Sequence, residues 1–257
     1  MRKVNYYRYP HPHNVGDTLT THILKHFTEG IDFRLVRESA SGKFIGVGSV
    51  MRVIQPGDTI WGAGVMRVTD RFPQGPQCNF LAVRGKLSKA ILEKDGAEVP
   101  DTFGDPALLL PLMFKPEVTK THKVGIIPHF VDTHLVTRSK GDKLAEGDDW
   151  KLIDVFLDYQ SFVSEVLSCE RIVSSSLHGI VIAEAYGIPA EWVVLSNRVI
   201  GDGFKFKDYL TGTGREIQEP GKFPPIEQDT LRFIQEELVR TLHSHFNSLN
   251  ETGQSNL

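Results

Sequence analysis

The sequence predicts an α/β protein made of two Rossmann-like, doubly wound halves. Three observations carry that expectation. Short apolar runs alternate with helix-like segments along most of the chain, the grammar of a parallel sheet wound with helices. Most of those runs end in a glycine-bearing turn: Gly48-Ser49, Gly62-Ala63-Gly64, Arg84-Gly85 and Gly104-Asp105-Pro106. A proline- and lysine-bearing stretch, residues 111–122, reads as a linker between two such series, which sets the halves at 1–115 and 116–257.

In the first half, residues 4–9 read as a strand, followed by the loop Pro10-His11-Pro12-His13-Asn14-Val15-Gly16-Asp17. Asp17 or Thr18 then caps a helix with Leu19, Ile23, Leu24 and Phe27 on one face. Residues 44–47, 59–61 and 81–83 are the next strands. A helix over 87–94 stops at Gly96, and 99–103 reads as a fifth strand before the apolar residues 107–110. In the second half, residues 123–127 form a strand that leads into Pro128-His129-Phe130. Residues 137–149 are polar and read as an exposed loop, 152–156 as a strand, and 162–167 as helix. A strand over 191–195 exits into a basic, glycine-rich loop, residues 196–208. A long helix over 228–250 closes the chain, with 251–257 frayed. The right-handed crossover rule places the glycine turns along one edge, where they form a crevice wall.

The stretch Arg171-Ile172-Val173-Ser174-Ser175-Ser176-Leu177-His178-Gly179 organises the second half. A buried strand runs into three serines and then into a helix that is apolar on nearly every side until Gly187 and Pro189 stop it. His178 therefore stands in the first turn of a buried helix, among free N–H groups and at the positive end of the dipole. An anion can be held there. Open α/β sheets place their ligands at such carboxyl ends of strands.

Composition narrows the field. At 257 residues, with 29 basic and 32 acidic side chains, the chain offers no whole-molecule field for nucleic acid. Its two cysteines suit neither a disulfide framework nor a metal site, and a reduced, cytosolic setting fits. The N-terminal residues lack the apolar core of a signal peptide, and no run approaches the ~20 apolar residues of a membrane span. His11 and His13 lack partners at ligand spacing, so no metal is expected. Gly62-Ala63-Gly64 lacks the third glycine of a dinucleotide fingerprint, and no G-x-S-x-G elbow exists.

An acid on one side and anion-holding groups on the other remain. Asp17 is either a helix cap or a carboxylate that takes a proton from a sugar hydroxyl. Asp105, in the Gly-Asp-Pro turn, carries the same ambiguity. Arg198, Lys205 and Lys207, interleaved with Phe204 and Phe206, close over a phosphate or carboxylate. Arg84, at a strand-to-helix turn, is an anion or acceptor contact. Two facing halves would set residues 14–17 and 62–64 opposite 174–178 and 198–207, with substrate in the cleft between them. That is the glycosyltransferase-B layout.

Asn14-Val15-Gly16-Asp17, Arg84-Gly85-Lys86-Leu87-Ser88, Gly104-Asp105-Pro106-Ala107-Leu108-Leu109-Leu110-Pro111, Ile127-Pro128-His129 and Ser174-Ser175-Ser176-Leu177-His178-Gly179 together resemble the polysaccharide pyruvyltransferase family, and most nearly its succinoglycan ketalase (ExoV-like) branch. The resemblance implies an enzyme that moves a pyruvyl group from phosphoenolpyruvate onto two sugar hydroxyls of an exopolysaccharide precursor, without a cofactor. It also implies an acceptor that can be lipid-linked at the inner membrane, and a cytoplasmic location. His178 and Asp17 would be catalytic. Asn14, Gly16, Arg84, Asp105, His129, Ser174, Ser175, Ser176, Leu177, Arg198, Lys205 and Lys207 would bind substrate. The family's donor site carries an Arg-Leu-His triplet. Leu177 and His178 match it, but Ser176 stands where the arginine would be, so another cation must compensate or the donor differs. The alternatives are a nucleotide-sugar glycosyltransferase on the same fold and a non-catalytic carbohydrate-binding relative.

Overall fold

The structure, a computed structural model, describes residues 2–10 and 14–254, and side chains as far as residue 249. His11 and His13 lie outside the described residues. Among those described, the chain is α/β, with two five-stranded sheets that are parallel except for one antiparallel edge strand.

The first sheet contains β1 (Arg2–Tyr7), β2 (Ile31–Leu35), β3 (Phe44–Ile45), β4 (Thr59–Trp61) and β5 (Asn79–Ala82), in the order β2-β1-β3-β4-β5. Helices α1 (Val15–Phe27) and α2 (Lys86–Lys94) follow β1 and β5. A 3-10 turn at Pro106–Leu109 runs into α3 (Leu110–Met113).

The second sheet contains β6 (His122–Ile127), β7 (Trp150–Leu152), β8 (Cys169–Ser174), β9 (Ala190–Trp192) and β10 (Gly221–Lys222), in the order β10-β9-β8-β6-β7. Between and after them lie α4 (Arg138–Ala145), α5 (Tyr159–Leu167), α6 (Leu177–Ala185), α7 (Phe204–Gly212) and α8 (Gln228–Gln254).

Each sheet starts in its interior, places its second strand on one side and then reverses to the other. The reversal lies between β1 and β3 in the first sheet and between β6 and β8 in the second. Neighbouring strand ends at such a reversal feed connections to opposite faces, which leaves a crevice outside their carboxyl ends.

Apolar clusters cover both faces, as a parallel sheet requires. One runs from Leu19, Ile23, Phe44 and Trp61 through residues 107–110 to Ile127, Ile180 and Leu238. Ile45, Ile60, Phe80 and Leu92 lie on the other face of the first sheet, and Val124, Ile126 and Val173 on the outer face of the second. The last helix returns to the first sheet. The Trp61 indole N–H donates to the Leu238 carbonyl at 3.0 Å, and Phe246 stacks on Phe44 at 5.9 Å.

Several sequence expectations are corrected here. The cap of α1 is Asn14, whose side chain accepts from the Asp17 N–H, so the helix starts two residues before Asp17. Residues 99–103 form only a bridge, Phe103 to Val83, because Pro100 has no N–H for a ladder. The polar stretch 137–149 contains α4, capped by Thr137. Its buried positions are only Gly141 and Ala145, so it carries little apolar periodicity. The basic loop ends at Gly203 (φ 77°), where α7 begins, and Phe206, Tyr209 and Leu210 turn inward at helical spacing. β2 adds a strand outside those expected from the sequence, although its Ile-Asp-Phe-Arg-Leu alternates. The final helix continues to Gln254 rather than ending at 250.

Candidate active site

A cavity of about 580 Å³ opens where both sheet reversals face one another. The first half contributes Tyr7 from the end of β1, Tyr9, Asn14 and Asp17 from beyond it, and Gly48, Ser49 and Arg52 from beyond β3. The second contributes His129 and Phe130 from beyond β6, Ser176, Leu177 and His178 from beyond β8, and Arg198 and Lys205 from the segment after β9.

His178 occupies the first turn of α6, and every other residue of that helix is buried. A helix whose body is apolar apart from Glu184, itself paired with Arg215 and Tyr209, can only sit inside the protein, so its polar start is fixed against the opposite half. The imidazole is 12% exposed and its Nε2 stands 3.5 Å from Asp105 Oδ2, with neither atom hydrogen-bonded. Nε2 is thus turned inward, and Nδ1 lies on the side of the ring against the Gly16 backbone. Asp105 is wholly buried and its other oxygen caps Ala107 N–H at 3.0 Å. It lies behind the imidazole rather than on the cavity wall.

Asp17 projects from the first turn of α1 and takes a hydrogen bond from Asn14 Nδ2 at 2.5 Å. Burial pushes its carboxyl up from 3.8 to about 6, against the opposing pull of His178, Asn14, Lys205 and Arg8. Lys205 is buried in the first turn of α7. Burial, with the Arg84 charge, brings its ammonium down from 10.5 to about 8, although Asp17 and Asp132 oppose the shift. Burial also drives His129 down from 6.5 to about 3, reinforced by Lys205 and His178, so its ring is neutral. Its Nδ1 accepts weakly from Val131 N–H at 3.4 Å, which leaves the ring proton on Nε2.

Other expected contacts lie elsewhere. Gly16 is buried beneath the His178 ring. Ser174 and Ser175 are buried in the turn: the Ser174 hydroxyl serves the Ile127 carbonyl and Ser176 N–H, and Ser175 accepts from His129 N–H at 2.8 Å. Among these serines only Ser176 lines the cavity, and its side chain makes no cap hydrogen bond. Lys207 points away and pairs with Glu219 at 2.6 Å. Residues 62–64 do not line the cavity, and Gly62 (φ 82°) instead packs on Pro106.

Arg84 is also outside the cavity. It is fully buried, pairs with Asp208 at 2.9 Å and donates to Ser49 and the Val65 carbonyl. Asp208 also accepts from the Ser88 N–H and hydroxyl. Arg84 and Ser88 therefore anchor α7, and with it Lys205, to the first half.

Sequence reasoning missed the cavity residues Tyr7, Tyr9, Glu38, Ser39, Arg52 and Gln55. They belong to no motif, and their shared feature is a position at or beyond the carboxyl ends of β1, β2 and β3. Among the described residues, no group of three or more His, Cys, Asp and Glu is placed to hold a metal ion. No described helix is long and apolar enough to cross a membrane.

Residues 76–197 match the family model described as polysaccharide pyruvyl transferase. That span includes Arg84, Asp105, His129 and the Ser–His element. An uncharacterized protein of Acanthamoeba polyphaga mimivirus is 33% identical over 193 residues, an alignment that takes in 72% of this chain and 65% of that relative.

Proposed function

We propose that this chain, whose residues 76–197 match the polysaccharide pyruvyl transferase family model, is a member of that family and transfers the pyruvyl group of phosphoenolpyruvate to two hydroxyls of a sugar as a cyclic ketal. The observation that carries the reading is the meeting of Asp17, His178 and Lys205 in one cavity, with one acid from the first half facing two basic groups from the second.

The donor's phosphate and carboxylate are assigned to the second-half wall. Lys205, with no ion-pair partner among the described residues, supplies a charge in a site of low polarity, where such a charge acts strongly. Arg198, at the cavity edge, supplies a second. These cations stand in for the family arginine that Ser176 replaces. The neutral His129 offers an Nε2–H donor, and the start of α6 adds its dipole.

His178 is the candidate acid. Protonation of the donor's methylene carbon makes C2 electrophilic. A sugar hydroxyl attacks C2 while Asp17 accepts its proton, the C2–O bond to phosphate breaks and phosphate leaves, and the second hydroxyl closes the ketal as its proton passes to His178, which restores the acid. An Asp carboxyl poised near 6 is a better base at neutral pH than an unperturbed one. The acceptor is assigned to the first-half wall, where Tyr9 offers an exposed aromatic face and Glu38, Ser39 and Gln55 offer hydroxyl partners. The reading needs no resident cofactor. It includes a glycosyltransferase-B-like pairing of the halves, the succinoglycan ketalase branch, and a cytoplasmic enzyme meeting a lipid-linked acceptor at the inner membrane.

The test is incubation with phosphoenolpyruvate and a lipid-linked oligosaccharide, following phosphate and the acceptor's mass. Phosphate release with a mass gain of one ketal-linked pyruvate is expected. Nucleotide release from a nucleotide sugar, with no use of phosphoenolpyruvate, would instead make the chain a glycosyltransferase. Binding of either substrate without product would make it a non-catalytic relative.

A further inference from the structure

We infer that Asp105 is the positioning carboxylate of His178: it accepts the Nε2–H of the imidazole and so leaves Nδ1, on the Gly16 side of the ring, unprotonated in the neutral imidazole. The inference rests on the reading of His178 as the acid–base group of pyruvyl transfer.

The geometry leaves two polar atoms facing one another with no other partner. Asp105 Oδ2 and His178 Nε2 are both buried and both without a hydrogen bond, 3.5 Å apart. That gap is just beyond a normal N–H···O distance, and closing it by a few tenths of an ångström satisfies both atoms at once. The alternative tautomer would set a bare ring nitrogen against a bare carboxylate oxygen, lone pair to lone pair. Catalytic hydrogen bonds are often long without substrate and tighten when it binds.

The carboxylate cannot easily turn away. Its Oδ1 is held by Ala107 N–H, and the turn that carries it is wedged on both sides. A β-carbon at Gly62 would meet Pro106 at 2.3 Å, and one at Gly104 would meet Ile234 at 2.6 Å. Asp105 comes from the first half and His178 from the second, so the contact also fixes where α6 begins relative to the opposite wall. The other ionisable groups around the ring are Asp17 on α1, His129 beyond β6 and Lys205 on α7. None of them is hydrogen-bonded to the imidazole. The carboxylate behind the ring thus leaves Nδ1 as the nitrogen that receives a proton and then donates it.

Long-range proton–nitrogen NMR of the full chain, with 15N-labelled histidine and His178 assigned by a His178→Gln control, reads the tautomer directly. The neutral ring is expected to carry its proton on Nε2, and a ring protonated on Nδ1 overturns the inference whether or not the chain turns over substrate. Asp105→Asn keeps an oxygen to cap Ala107 but removes the charge behind the ring. It should erase the Nε2–H preference and lower kcat by roughly 10²–10⁴-fold. The KM for phosphoenolpyruvate should stay within about threefold, because the residue does not line the donor wall. An unchanged tautomer in a folded Asp105→Asn protein, or an unchanged kcat, would assign Asp105 to its capping role alone. If the variant does not fold, the spectrum of the unaltered protein decides.

Discussion

The imidazole of His178 lies directly against the backbone of Gly16, so close that a β-carbon there would stand 1.9 Å from Nδ1. The amino ends of α1 and α6, one from each half, touch at this point with only a hydrogen atom's room between them. The only side chain that fits is none. Gly16→Ala should therefore push the ring off its seat. We expect roughly a 10²-fold loss of turnover from a displacement of about 1 Å, with overpacking lowering stability by about 1–3 kcal/mol. Phosphate release and a thermal melt on the same preparation check both.

In the proposed mechanism, Asp17 and Lys205 set the pH range of turnover. Asp17 must be ionised to accept a proton, and its carboxyl is held at about 6. Lys205 must be charged to hold an anion, and its ammonium is held at about 8. The profile of kcat/KM should be bell-shaped, rising through about 6 and falling through about 8. Lys205→Arg should move the alkaline limb upward beyond the measurable range, because a guanidinium does not deprotonate there. An alkaline limb that stays in place in that variant would assign it to another group.

The raised carboxyl of Asp17 also has a stability consequence. Below 3.8 the group is protonated both folded and unfolded and has no effect; above about 6 it is charged in both, and the folded chain bears the whole cost of its burial. Stability linked to Asp17 therefore falls as pH rises from 3.8 to about 6. Asp17→Asn should lose the acidic limb of activity and yet melt higher than the unaltered protein at pH 7, with the difference shrinking toward pH 4. Equal melting temperatures at pH 7 would count against the burial cost.

Arg84 serves the fold. Replacing it with Met strands the Asp208 carboxylate in the interior, and removal of one partner of a buried pair costs about 3–5 kcal/mol. Both side chains are fully buried here, so the upper part of that range applies. Pairing Arg84→Met with Asp208→Leu should recover most of the loss, since no charge is then stranded. Urea unfolding of the two variants makes the comparison.

The closing helix should matter to the first half of the chain. Leu238 is fully buried and its carbonyl receives the Trp61 indole N–H. Leu238→Ala should cost about 2–5 kcal/mol, and the shift should appear in the fluorescence transition of Trp61 as well as in the global melt.

The sequence by itself determined the α/β class, the strand at 59–61 and the buried helix behind His178, because each is a matter of local periodicity and turn chemistry. The apolar body of α6 forces that helix inside, and the serines before it leave no other place for its polar start. It also carried the resemblance to the polysaccharide pyruvyltransferases, through motifs spread from Asn14 to Gly179, and residues 76–197 match that family's model. Only the tertiary structure decided which polar residues share a space. Arg84, Asp105 and Lys205 read alike in one dimension, as charges beside glycines or prolines. Folding buries Arg84 against Asp208, puts Asp105 behind the imidazole and leaves Lys205 facing the cavity. The partners that distinguish them are 124 residues away for Arg84 and, by position, 73 for Asp105. A contact made across the chain leaves no mark on the local pattern at either end, and so Tyr7, Glu38 and Arg52 came into view only once both sheet reversals faced the same cavity.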